Sequence, residues 1–179
     1  MISNTQLELL KQYKERCFIS GLLSENSYNY YVCIKNVINI PLIVVNSAMV
    51  VINSTITDQE LLKVLNIILN SSTGLILSLI SNFKIYENIQ SFHQLQAKFN
   101  KLCHQIESKT NEPEGISPDY VNSIIEDYDI IYDSIEFNFP THIKKRIKKQ
   151  YEGKMSLPSS LNVDIVSVCD NDNRCCNNV

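Results

Sequence analysis

Val37-Ile38-Asn39-Ile40-Pro41-Leu42-Ile43-Val44-Val45-Asn46-Ser47-Ala48-Met49-Val50-Val51-Ile52-Asn53 carries no charged side chain and stands inside a longer uncharged run from Asn36 to Thr57. A second such run, Val64 to Phe83, begins after only six residues, Asp58-Gln59-Glu60-Leu61-Leu62-Lys63. Each is long enough for an α-helix to cross a hydrocarbon core about 30 Å thick at roughly 1.5 Å per residue. The pair predicts an all-α protein built on a two-helix transmembrane hairpin over residues 36–83. The connection is too short to hold a domain, so both flanks face the same compartment.

Eleven Leu, Ile or Val residues between 37 and 56, at about −0.3 to −0.6 kcal/mol each, make insertion of the first span favourable by roughly 3 to 7 kcal/mol before its Asn residues are counted against it. The alternative is a soluble helical bundle, acting as a binding module, with two unusually apolar core helices. An all-round apolar helix needs protein on every side, and the rest of the chain is short for covering two of them.

Asn39, Asn46 and Asn53 recur every seven residues and share a stripe of the first helix, while Asn66, Asn70, Thr73 and Ser81 fall near one stripe of the second. Gly74 and Ser78 add a small-xxx-small spacing. In a bilayer such residues face other helices, where an interhelical hydrogen bond contributes about 0.6 to 2 kcal/mol, or line a watery path. Helix packing within a self-associating oligomer is the expectation, and a pore lining is the alternative. Thr57-Asp58-Gln59-Glu60 has capping-box spacing, with the Thr57 hydroxyl expected to accept from the Glu60 amide. Lys11, Lys14, Arg16 and Lys35 precede the first span and Lys84, Lys98 and Lys101 follow the second, against Lys63 alone in the loop, so both termini are expected in the cytosol.

Residues 1–35 read as an N-terminal amphipathic helix, capped by Ser3, with Leu7, Leu10, Tyr13, Cys17 and Phe18 at helical spacing, followed by the aromatic membrane edge Tyr28-Asn29-Tyr30-Tyr31. Residues 84–152 read as cytosolic helices. The second span is expected to run on unbroken as a stalk to about Ser108, its coiled-coil-like seam formed by Ile85, Phe92, Leu95, Phe99, Leu102 and Ile106. Pro113 and Gly115 break it, and Ser117-Pro118 starts a return helix with Val121, Ile124, Ile125, Tyr128, Ile131, Tyr132 and Ile135 on one face and Glu126, Asp127, Asp129 and Asp133 around the other. A basic helix from Thr141 to Tyr151 carries Lys144, Lys145, Arg146, Lys148 and Lys149, read as a solvated face or an anionic-lipid contact. Residues 153–179 lack a core pattern and read as a mobile tail, with the pair Cys175-Cys176 incidental.

The net charge of −3 speaks against nucleic-acid binding by the whole chain. No secretory leader is visible, so the first span itself directs insertion. Six cysteines without a C-x-x-C pair suggest a reducing compartment rather than a disulfide or zinc scaffold. His93 and His104 share a stalk face, with no Asp or Glu read at a metal-ligand spacing one turn away. Without a nucleophile motif or a glycine-rich phosphate loop, the expectation is a non-enzyme with no catalytic residues, cofactor or metal.

Phe83-Lys84-Ile85-Tyr86-Glu87, Ser91-Phe92-His93-Gln94-Leu95-Gln96-Ala97-Lys98-Phe99-Asn100-Lys101-Leu102-Cys103-His104-Gln105-Ile106-Glu107, Asp127-Tyr128-Asp129-Ile130-Ile131-Tyr132 and Phe139-Pro140-Thr141-His142-Ile143 follow the two spans. Over roughly residues 30–152 this order of parts resembles the SLATT-type two-transmembrane domain, most closely versions from large nucleocytoplasmic DNA viruses. The resemblance implies a viral membrane or virion component, in a host membrane or an internal virion membrane, or alternatively a pore-forming membrane effector. Bacterial members are paired with nucleotide-signal sensor modules, and no sensor is read here. The implied partners are the lipid bilayer, further copies of the chain and a protein bound to the cytosolic helices.

Overall fold

The computed structural model of the protein describes residues 4–111 and 116–161, and its regular elements there are all helical. They are α1 (Asn4–Thr55), α2 (Gln59–Asn82), α3 (Ile85–Thr110), α4 (Pro118–Asp133), α5 (Thr141–Tyr151) and a short 3-10 turn at Ser159–Leu161. Ser3, Pro113, Gly115 and Cys175-Cys176 lie outside the described residues.

The expected separate N-terminal helix and the first span are one element. α1 has 52 residues, about 78 Å of continuous helix. Nothing between Leu22 and Ile40 breaks it, and Pro41, inside the helix, deprives only the Val37 carbonyl of its ladder partner. α2 starts one residue later than a cap at Thr57 implies. Asp58, not Thr57, caps α2: its backbone is extended and its carboxylate accepts from the amides of Glu60 and Leu61 at 3.1 and 3.2 Å.

The stalk does not continue α2. Lys84 sits in the left-handed region, φ 50° and ψ 37°, and separates α2 from α3. Ile80 and Ile85 are both buried, yet five residues of unbroken helix turn through about 500° and leave two side chains ~140° apart. The left-handed residue swings both toward α1. Asn88, buried at the start of α3, donates from Nδ2 to the Phe83 carbonyl at 3.3 Å, satisfying a group exposed by the break.

α3 then runs antiparallel beside the N-terminal part of α1. Tyr31 stacks on Phe92, Tyr28 meets His93, and the Lys14 ammonium reaches Glu107 at 3.1 Å, a regular succession down the two helices. Ile85, Phe92, Leu95, Phe99, Leu102 and Ile106 are all buried. Their partner is α1 of the same chain, which offers small side chains: Cys17, Ser20, Gly21, Ser24 and Ser27 are buried in a row. A Cβ on Gly21 would lie 3.7 Å from the Phe99 Cβ and 3.0 Å from Asn100 Oδ1. Ser24 and Ser27 donate to the carbonyls of Ser20 and Leu23, each at 2.8 Å, so their burial leaves no unpaired hydroxyl. Leu7 and Phe18, expected on the buried face, are 45% exposed.

α4 begins as expected, with the Ser117 hydroxyl accepting from the Tyr120 amide at 3.2 Å and Pro118 in the first turn. It packs on α1 and α3 through Val121, Ile124 and Tyr128. α5 packs through Ile143 and Ile147. Its direction follows from three contacts: His142 against Tyr30, Arg146 donating to Asn26, and Tyr151 against Phe18. α5 therefore descends along α1. The first part of the expected mobile tail instead belongs to the core: Pro158 and Leu161 are fully buried, the Ser156 amide donates to Glu15 at 2.7 Å, and Arg16 donates to the Ser156 hydroxyl at 3.1 Å. One leucine and one proline in a short turn show no periodicity that a sequence reading detects.

Two expectations follow for protein purified in detergent. Phe99→Ala costs about 3–5 kcal/mol of stability and Ser24→Leu about 1–3 kcal/mol through overpacking, both read as lowered thermal midpoints. Burial pushes the Cys17 thiol up to about 12, with Cys103 a lesser cause, and pushes the Tyr128 hydroxyl up to about 12. Both groups keep their protons in the fold to higher pH than when unfolded. Stability therefore falls as pH rises from about 9 toward 12, and a thermal-midpoint series over that window checks it.

Candidate functional site

The apolar halves of α1 and α2 form the hairpin, with the α1 N-terminus, α3, α4 and α5 all at its base. Near the tip, Asn53 and Asn66 exchange side-chain amide hydrogen bonds at 3.5 and 3.1 Å. At the base, Asn39 donates to the Tyr86 hydroxyl at 3.1 Å. The asparagine stripe is thus divided. Its outer members tie α1 to α2 and to α3, while Asn46 and Asn70 are exposed and make no side-chain hydrogen bond among the described residues. Thr73 is half-buried and Ser78 exposed. A Cβ on Gly74 would meet nothing within 4 Å, so the small-residue spacing brings no backbone close inside one chain.

The basic helix α5 stands along α1. Counting from Val37 as the start of the span, α5 begins level with Tyr30, reaches Asn26 at Arg146 and ends level with Phe18. At ~1.5 Å per residue the α1 levels of Arg146 and Tyr151 lie about 16 and 28 Å along α1 from Val37. Lys144 and Lys145 therefore lie nearer the apolar run of α1 than Lys148 and Lys149 do.

His104 and Glu107 are one helical turn apart, contrary to the expectation, with Nδ1 3.6 Å from Oε2. Lys14 already hydrogen-bonds that carboxylate and holds it below the ordinary carboxylate range. Among the described residues no three His, Cys, Asp or Glu side chains gather as a metal-ligating group.

A feature with no sequence signal lies at the hinge. There a cleft of about 560 Å³ opens between the long helices. Tyr30, Tyr31, Ile34 and Ile38 line it from α1, Ile76, Leu79 and Ile80 from α2, and Phe83 and Ile85 close it at the break. Lys35 Nζ lies 5.7 Å over the neighbouring Tyr86 ring, and Lys84 Nζ lies 3.7 Å from Glu87.

Comparison with known protein families, with curated proteins and with solved structures finds no match to this chain.

The Asn53–Asn66 pair is expected to couple. In a double-mutant cycle of Asn53→Leu and Asn66→Leu, read by unfolding in bicelles, the interaction energy should fall at about 0.6–2 kcal/mol. Additive effects would show that the two amides act separately.

Proposed function

We propose that the chain is a non-enzymatic membrane protein that inserts the α1–α2 hairpin into a bilayer and holds its remaining helices in the cytosol as an interaction platform. The observation that carries this reading is burial. In the most apolar 18-residue window of each long helix only 6% of residues are buried. Core helices of a soluble bundle are mostly buried. Here Val37, Ile43, Val50, Val64, Ile67 and Leu75 are all more than half exposed, and apolar surface left in water forgoes roughly 25 cal/mol per Å². Lipid is the solvent in which that surface is stable.

The lysine bias supports cytosolic termini, and the likeness to SLATT-type domains of large DNA viruses supports a viral membrane or virion component. Self-association is assigned to the spans, because α1 of the same chain already fills the α3 seam. Asn46 and Asn70 are the stripe asparagines left for another copy, beside the exposed Ser78. The same two residues favour a pore as the second reading, although no ionisable side chain lies between Val37 and Ile56 to select ions.

Alkaline carbonate extraction tests the anchor: the protein should stay in the membrane pellet, and its release would leave the soluble bundle. For topology, an impermeant maleimide applied to inside-in vesicles should reach a Gln59→Cys site but not Cys33, and labelling of both from one side would exclude the hairpin. Buried Cys17 should stay unlabelled until unfolding. Asn46→Leu should weaken cross-linked oligomers while liposome ion flux stays near background. Flux in the parent that vanishes in the variant would favour the pore.

A further inference from the structure

We propose that the hinge cleft holds one acyl chain of a bilayer phospholipid whose anionic headgroup is held at Lys84, an assignment that rests on the membrane reading above. The cleft volume, about 560 Å³, is within the range of small-molecule sites, and its position bridges two media. Ile38, Ile76 and Ile80 belong to the apolar spans, whereas Tyr31 belongs to the aromatic cluster at their cytosolic edge. The upper part of the cleft therefore opens at hydrocarbon depth and its mouth at headgroup depth. Its walls continue into the outward apolar surface at Leu79 and Phe83, so a lipid enters sideways without crossing water. A helix from a second copy is a poor occupant: at a diameter of about 10 Å it fills this volume with less than a turn and a half.

The lip supplies the charge. Lys84 stands between Phe83 and Ile85, both lining the cleft, and its side chain borders an adjoining crevice that shares Ile80 and Ile85. Its left-handed backbone, φ 50°, is one that Gly or Asn adopts more readily. Its ion pair with Glu87 is long and exposed at 3.7 Å, the kind that contributes little. Lys35, over Tyr86, adds a second cation on the facing helix. An ammonium group beside the cleft mouth suits an anionic headgroup.

The test uses the full chain reconstituted in phosphatidylcholine vesicles doped with either phosphatidic acid or phosphatidylcholine carrying a photoreactive group on the acyl chain. Adducts are mapped by peptide mass spectrometry. They are expected to concentrate on Tyr31, Ile38, Ile76 and Ile80, with the anionic probe favoured about fivefold. Lys84→Gly suits the left-handed backbone and so keeps the hinge; it should sharply reduce that preference and leave the acyl adducts in place, and an unchanged preference would overturn the headgroup contact at Lys84. Ile76→Trp, which fills the cleft, should remove the adducts of both probes. Adducts spread evenly over outward residues such as Ile43 and Ile68, or unaffected by Ile76→Trp, would overturn the acyl site. Equal yields from the two probes in the parent would overturn the headgroup contact. Carbonate extraction of the same samples separates the two levels: release of the protein defeats the membrane reading, whereas retention without cleft adducts defeats this inference alone.

Discussion

The close approach of α1 and α3 is the constraint on which the remaining structure depends. Phe99 and Leu102 reach the centre of the helical base because α1 opposes them with Cys17, Ser20, Gly21 and Ser24, while Phe92 stacks on Tyr31 further along α1. Large side chains on one helix fit against small ones on the other, and the close-packed interior leaves no room for a larger residue in the α1 row. Ser24 and Ser27 cost little because their hydroxyls return to their own helix, whereas the buried Ser20 hydroxyl has no hydrogen-bond partner among the described residues. On this pair rest α4, pinned by the Tyr120 hydroxyl donating to the Gln105 carbonyl at 3.0 Å, then α5, and then the turn that ends at buried Leu161. One continuous helix, α1, carries both the apolar hairpin and this base, so the two are mechanically joined.

The hinge at Lys84 resolves a conflict between two helical faces. The side of α2 that meets α1 passes through Ile76 and Ile80, four residues apart, whereas the side of α3 that meets α1 begins at Ile85 and continues through Phe92. No straight helix presents both sets to the same neighbour. A single left-handed residue, with Asn88 covering the freed Phe83 carbonyl, restores the register at the cost of local backbone strain. The cleft is the space left where the axes diverge.

The charged surfaces divide in a related way. α4 exposes Glu126, Asp127, Asp129 and Asp133, while α5 exposes Lys145, Arg146 and Lys149. Because α5 stands along α1 rather than lying across its end, its positive charge extends away from the hairpin. The base thus offers an acidic and a basic helix to whatever meets it from the side.

The sequence by itself determined the helical class, the two apolar runs and their separation, the Ser117-Pro118 helix start and the buried seam of α3, since all of these are periodic or local and depend on neighbours three or four positions away. The partner of that seam required the tertiary structure: a heptad-like pattern states that a face is apolar but not whether another copy or the same chain covers it, and serines in α1 carry no apolar signal. The cap at Asp58 in place of Thr57 was decided by backbone direction, because both side chains are chemically able to cap. The break at Lys84 and the docking of Leu161 were invisible for a common reason. Each is a single residue answering to contacts far along the chain, Ile85 against α1 in one case and the core beneath α5 in the other, and no local preference of lysine for a left-handed backbone or of an isolated leucine for burial announces such contacts.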